Sequence, residues 1–158
     1  EYLIQFGGHK FAAGLTMLPE QVENFKIAFE KVVSKTILPE QLIPEIEIDA
    51  ELNFSDITFS FLKLIQQFAP FGPEKMKPIF VSRKVKEAGG SRILKDRHIK
   101  FNLKQNGVAM NGIGFDLVHK MDILKESEFD IVYQIEENEW QGRKSLQLMV
   151  KDIRALNG

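Results

Sequence analysis

From His98 to Gln105 the chain alternates, with Ile99, Phe101 and Leu103 set against His98, Lys100, Asn102 and Lys104. Asn106-Gly107 follows, and Val108 to Phe115 returns as the partner segment. A two-residue connection of this composition supplies the two positive φ angles of a type I′ turn. The stretch therefore predicts a tight antiparallel hairpin with one face in a core and the other, carrying the lysines, in water. Few folds accommodate such a ribbon without further strands beside it.

Those strands are visible in the sequence. Pro78 to Ala88 reads as one, broken at Gly89-Gly90, and Arg92 to Leu94 as a short second. Glu128 to Glu136 and Ser145 to Ile153 read as a last hairpin, with Glu137 to Lys144 as its loop and Leu146, Leu148 and Val150 on one face. Asp116 to Glu126 reads as a connection. Ahead of this β-rich region, Glu45 to Leu52 alternates as a half-buried strand. Ile57, Phe61, Leu64, Ile65 and Phe68 then recur at helical spacing, capped by Ser55 or Thr58 and stopped by Pro70-Phe71-Gly72-Pro73. Short strands with glycine-rich turns behind one strand and one helix predict a small Greek-key barrel of the OB type.

The first residues read differently. Tyr2 to Phe6 is a short strand, Gly7-Gly8 a turn, and Ala12 to Met17 a second strand. Pro19 opens a helix to about Lys35, with Val22, Phe25, Phe29, Val32 and Val33 along one stripe. That stripe needs a sheet, and the chain supplies only two strands before it. With no methionine at Glu1, the reading is a fragment whose remaining strands lie upstream. Thr36 to Pro44, with two prolines, is a linker. The overall class is α+β: residues 1–42 close an α/β domain, and residues 43–158 form the barrel with its leading strand and helix.

Chemistry is scarce. There is no cysteine, so disulfides and thiolate metal sites are excluded. This fits a reducing cytoplasm. No run reaches membrane-span length and no signal peptide is visible. The three histidines, His9, His98 and His119, are scattered, and no P-loop, GxSxG or calcium-loop pattern occurs. No catalytic or metal-ligating residue is assigned.

Charge points to binding. The net charge of −1 conceals a +6 segment from Ile79 to Met110 and a −6 segment from Asp116 to Glu139. A basic barrel surface with rings suits single-stranded nucleic acid, the cations tracking phosphates and the rings stacking on bases. The candidates are Arg92, Lys95, Arg97 and Lys100 around the first hairpin, and Trp140, Arg143 and Lys144 around the last loop. Phe101 belongs on the core side. Trp140 either stacks on bases or plugs the barrel end. A second candidate site is Gly7-Gly8-His9. Adjacent glycines in a turn expose N–H groups as an anion nest, and a histidine beside them donates to a phosphate. A structural turn with a packed histidine accounts for the same residues.

Gly7-Gly8-His9-Lys10-Phe11-Ala12-Ala13-Gly14 resembles the GGHxxAAG signature of the DHH-associated domain of DHH phosphoesterases. The rest is similar to one branch, the RecJ single-stranded-DNA-specific exonucleases. Pro70-Phe71-Gly72-Pro73 and Lys77-Pro78-Ile79-Phe80 resemble PFGxGNPEPxF, with Glu74-Lys75-Met76-Lys77 replacing the second glycine and the Asn-Pro-Glu. Arg97-His98-Ile99-Lys100 and Gly112-Ile113-Gly114-Phe115 resemble RHLKxxL and GIxF. Glu139 to Leu148, with Asp152, resembles NxWxGxxxxQLxxxD.

The resemblance implies a 5′→3′ exonuclease of single-stranded DNA in recombination and repair, using Mn²⁺ or Mg²⁺ held by a DHH domain whose motifs are absent here. This fragment alone would bind no metal and be inactive. Gly7, Gly8 and His9 would bind the terminal phosphate and the barrel would hold the strand. Partners would be single-stranded DNA, single-strand-binding protein and other repair proteins, with no membrane. Two alternatives stand beside it: a DHH phosphodiesterase for short oligonucleotides or cyclic dinucleotides, and a non-catalytic interaction module presenting the acidic stretch.

Overall fold

The computed structural model describes residues 2–9, 12–72 and 76–156. Glu1, the Lys10-Phe11 step of the first motif and Pro73-Glu74-Lys75 of the second lie outside the described residues. The chain divides into two compact units, Glu1–Ile46 and Glu47–Gly158.

In the first unit, β1 (Gln5–His9) pairs antiparallel with β2 (Ala12–Thr16), with Gly7 opposite Gly14, Gly8 opposite Ala13 and His9 opposite Ala12. This corrects the sequence reading: Gly7 and Gly8 are strand residues, not a turn. Neither is among the residues with positive φ. Extended backbone held in a ladder does not curl its N–H groups into a nest. Glycine is needed at position 8 for a different reason. A Cβ there would stand 2.6 Å from the Ala12 carbonyl oxygen and 2.8 Å from Ala13 Cα. At Gly7 an added Cβ would meet nothing within 4 Å.

A 3-10 turn over Pro19–Gln21 leads into α1 (Val22–Thr36). Proline fits this entry because its missing N–H has no intrahelical partner to lose. Glu23 near the start and Lys35 near the end suit the helix dipole. The Phe25 and Phe29 rings stack at 5.6 Å, but no residue of α1 is buried.

The second unit begins with β3 (Ala50–Glu51) and a 3-10 turn over Phe54–Asp56. Then comes α2 (Phe59–Gln66), whose Thr58 Oγ1 accepts from the Phe61 N–H at 3.1 Å, as a cap requires. The predicted strand over 45–52 shrinks to two residues, parallel to β4 (Phe80–Glu87). Ala50 faces Phe80, so continued pairing would set Ile48 against Pro78. There the Ile79 N–H donates to the Asp49 carboxylate at 2.8 Å instead of to a strand carbonyl, and the ladder stops. Ile46 and Ile48 stay exposed.

The remaining strands are β5 (Arg92–Leu94), β6 (His98–Gln105), β7 (Val108–Gly114), β8 (Phe129–Trp140) and β9 (Arg143–Ala155). Strand order runs β3-β4-β8-β9-β7-β6-β5, and β4 also pairs with β6. Five strands therefore close a ring, β4-β8-β9-β7-β6. Every pair in it is antiparallel except β7 with β9. A 3-10 helix over Val118–Lys125 links β7 to β8. This is OB topology, with β3 and β5 added at its margins.

Alternation fills the interior. Ile99, Phe101, Leu103, Ile131, Tyr133 and Leu148 are fully buried, each contributing about 1.5–3 kcal/mol from water exclusion. Phe61 of α2 packs on Phe80 with ring centres 5.7 Å apart. A buried polar residue, Gln105, knits the unit. The Gln105 Oε1 accepts from the Phe54 N–H at 2.7 Å, and its Nε2 donates to the Arg83 carbonyl at 2.7 Å. Asn106 and Gly107 have φ of 49° and 87°, the expected type I′ geometry.

The last hairpin corrects a second expectation. β8 and β9 pair out to Trp140 opposite Arg143, leaving only Gln141-Gly142 as the turn, with φ of 50° and 74°. Trp140 is thus a strand residue, not a loop residue. It is 72% exposed and does not plug the barrel.

Candidate nucleic-acid interface

The opposed charge segments of the sequence meet in the fold. Arg83 of the basic run binds Asp130 of the acidic run at 2.7 Å, Lys86 binds Glu128 at 3.3 Å, and Arg97 binds Asp116 at 2.5 Å. Asp122, Glu136 and Glu137 pair with Lys125, Lys77 and Lys144. Six of the eight carboxylates between Asp116 and Glu139 are therefore compensated. Arg92, Lys95, Lys100 and Lys104 make no ion pair among the described residues. All four lie on β5, β6 or the turn between them.

Strand register shows what shares a face with them. Opposed residues of paired strands point to the same side. One row across the barrel wall runs Arg92, Lys100, Ile113, Met149. The next runs Asn102, Asn111, Gln147. Both rows alternate with the buried Phe101, Leu103, Gly112 and Leu148, so they face outward. The face is polar and basic with an aliphatic centre. It lies on the strands that OB barrels use for oligonucleotides, between the two loops they use with it.

The first of those loops follows β4. Glu87 accepts from the N–H of Ser91 at 2.9 Å and from that of Gly89. Burial raises the Glu87 pKa, but these hydrogen bonds outweigh it and hold the carboxyl below its usual range. Asn102 fastens the loop from β6, donating from Nδ2 to the Gly89 carbonyl at 2.6 Å and from its N–H to Ser91 Oγ at 2.9 Å. Arg92 leaves this clamped loop opposite Lys100. Lys95 follows in a turn at φ 50°, and Arg97 stands beside Asp116. The hydrogen bond from Arg97 keeps the Asp116 carboxyl below its usual range and raises the guanidinium in return.

The second loop is the β8–β9 tip. Arg143, directly opposite Trp140, shares its side of the ribbon with Ser145 and Gln147. Lys144 lies on the reverse side, where it binds Glu137 at 2.7 Å. Of the seven barrel candidates, Arg92 with Lys100 and Trp140 with Arg143 are each brought side by side, whereas Lys144 is turned away. Gly7, Gly8 and His9 belong to the other unit, exposed on β1.

Sequence reading missed Asn111, Ile113, Gln147 and Met149. The signal was present for two of them, since a two-residue turn at 106–107 fixes Lys100 against Ile113 and Asn102 against Asn111. The parallel β7–β9 pairing that adds Gln147 and Met149 has no local signature. Among the described residues no three His, Asp or Glu side chains converge as a metal site. No described helix is long and apolar enough to cross a membrane.

Comparison with known proteins gives a consistent picture. Residues 48–152 match the family described as RecJ OB domain. The chain is 30% identical over 154 residues to the single-stranded-DNA-specific exonuclease RecJ of Bacillus subtilis, covering 96% of this chain and 20% of that protein. It is 30% identical to the RecJ of Haemophilus influenzae over 98% of this chain and 28% of that one. A crystal structure of RecJ in complex with Mg²⁺ from Thermus thermophilus superposes with a TM-score of 0.70 at 22% identity, over 97% of this chain and 23% of that one. A second, in complex with Mn²⁺, gives 0.69 at 23% identity, over 97% and 22%. The chain thus spans about a fifth to a quarter of the relatives it matches.

Proposed function

Because this chain belongs to the RecJ OB domain family, we propose that it is the strand-holding portion of a single-stranded-DNA-specific 5′→3′ exonuclease acting in recombination and repair. The observation that carries the reading is the set Arg92, Lys95, Lys100 and Lys104, cations without acidic partners among the described residues on the oligonucleotide face of an OB barrel. Phosphates supply the missing counter-charge, and the aliphatic row of Ile113 and Met149 lies where bases would turn inward from them.

Hydrolysis belongs to a DHH domain elsewhere in the parent enzyme. The Mg²⁺ and Mn²⁺ of the Thermus structures suggest its ions, which this chain's described donors do not fit. Gly7, Gly8 and His9 present the terminal phosphate to that domain, by ordinary strand N–H and imidazole donors instead of a nest. The cytoplasm is the compartment, and single-strand-binding protein and other repair proteins are the partners. The interaction-module alternative loses its main support, since most of the acidic stretch is neutralised within the barrel.

The test is fluorescence anisotropy with 5′-phosphorylated oligodeoxythymidylate across a salt series, followed by incubation with Mn²⁺. Binding that weakens steeply with salt, without degradation, supports the reading. Salt-independent binding, or robust degradation by this chain alone, overturns it.

A further inference from the structure

We propose that Phe115 is a base-stacking residue, paired with Arg97 in a nucleotide pocket at the end of the face remote from Trp140. This rests on the single-strand reading above and adds a residue to it.

Phe115 directly follows β7 and is 51% exposed. Its ring is nonetheless held. His98 packs against it edge-on, with ring centres 5.0 Å apart at 78°. His98 is itself fixed, because the Asp116 N–H donates to its Nδ1 at 3.0 Å. Asp116 sits at φ 59°, a left-handed turn that brings its carboxylate to Arg97 Nε. An exposed ring, a clamped histidine and an arginine are thus assembled where the start of β6 meets the end of β7. That is the chemistry of one bound nucleotide: base on ring, phosphate on guanidinium.

The other end of the face repeats the pairing, with Trp140 directly opposite Arg143. Asn111 faces Gln147, so Arg143 lies four positions before the Asn111 level and Phe115 four beyond it. At strand rise this separates the two rings by on the order of 25 Å. A strand engages both only if it is long enough to bridge them. Between them, Ile113 and Met149 offer aliphatic contact that is indifferent to base identity.

The experiment compares unsubstituted chain, Phe115→Ala and Phe115→Trp on oligodeoxythymidylates of about 4 and about 16 nucleotides, the limits of one OB barrel's reach. An abasic strand of the longer length is the control, and circular dichroism verifies folding. Phe115→Ala should weaken the long strand about tenfold, leave the salt slope unchanged, and make no difference on the abasic strand. Phe115→Trp should retain affinity. Affinity for the long strand within twofold of the unsubstituted chain, or equal losses on normal and abasic strands, overturns the proposal. If the unsubstituted chain binds no strand at all, both this inference and the reading beneath it fail.

Discussion

Arg97 Nε lies 2.5 Å from Asp116 Oδ1, so the cation proposed to meet DNA already holds a carboxylate. Both side chains are exposed, at 65% and 59%, and such a pair is weak in water. Asp116 occupies the position a phosphate oxygen would take. Asparagine tolerates the same left-handed backbone, so Asp116→Asn removes the charge without disturbing the turn. Binding to single strands should tighten, and the slope of log affinity against log salt should steepen by about 0.7, one further phosphate contact. Anisotropy titrations between low and moderate salt read both. An unchanged slope would mean Arg97 does not meet the strand.

Gly7 and Gly8 separate a folding role from a binding one. An added methyl at Gly8 collides with the backbone of Ala12 and Ala13, whereas Gly7 faces open space. Gly8→Ala should therefore destabilise the β1–β2 ribbon, read as faster amide exchange at Gln5–His9. Gly7→Ala should leave exchange unchanged and weaken binding of a 5′-phosphorylated strand relative to a 5′-hydroxyl one. Equal affinity for the two ends in unsubstituted protein would remove this site from the phosphate reading.

Tyr133 and Ser82 form the polar centre of the barrel. The Ser82 hydroxyl donates to the Leu52 carbonyl at 2.7 Å, so its single proton is used. The 2.7 Å contact with Tyr133 Oη must then have the phenol as donor. Burial pushes that phenol up to about 12, so it stays protonated. Tyr133→Phe loses one buried hydrogen bond and should cost about 1 kcal/mol in urea unfolding. Its strand-binding affinity should not move, because Tyr133 faces the interior.

Glu87 makes the first loop sensitive to acid. Its folded pKa is lowered, so the protein binds fewer protons there than the unfolded chain does. That stabilisation is complete above the ordinary carboxylate value near 4.5 and is lost as the pH falls through the lowered folded value. Glu87→Gln should reduce stability at neutral pH and flatten this acid limb. Urea midpoints from about pH 3 to 7 for both proteins test it. Parallel curves would assign the acid sensitivity to other carboxylates.

Local pattern carried much of the fold. The β6–β7 hairpin was legible because Asn106-Gly107 has one favoured geometry and the alternation has one buried side. The cap of α2 was legible only as a choice between Ser55 and Thr58, which the structure resolves to Thr58. The β8–β9 tip was not, since Gln141-Gly142 lacks the asparagine or aspartate that marks such turns, and the polar run around it resembles a loop. The strand over 45–52 stopped short because the Asp49 carboxylate takes the Ile79 N–H that the ladder would use, a contact with another segment.

The same division holds for the site. The sequence by itself determined the β6–β7 hairpin register, and with it the outward lysines, but left Trp140 open between a stacking ring and a plug. Only the tertiary structure decided which charges remain available. Arg83, Lys86 and Arg97 are tied to Asp130, Glu128 and Asp116, while Lys100 and Lys104 are not. Ion pairing depends on which strands the closed barrel sets side by side, and β4 meets β8 across many intervening residues. Phe115 became an anchor for the same reason: its neighbour His98 is remote along the chain and adjacent across the sheet.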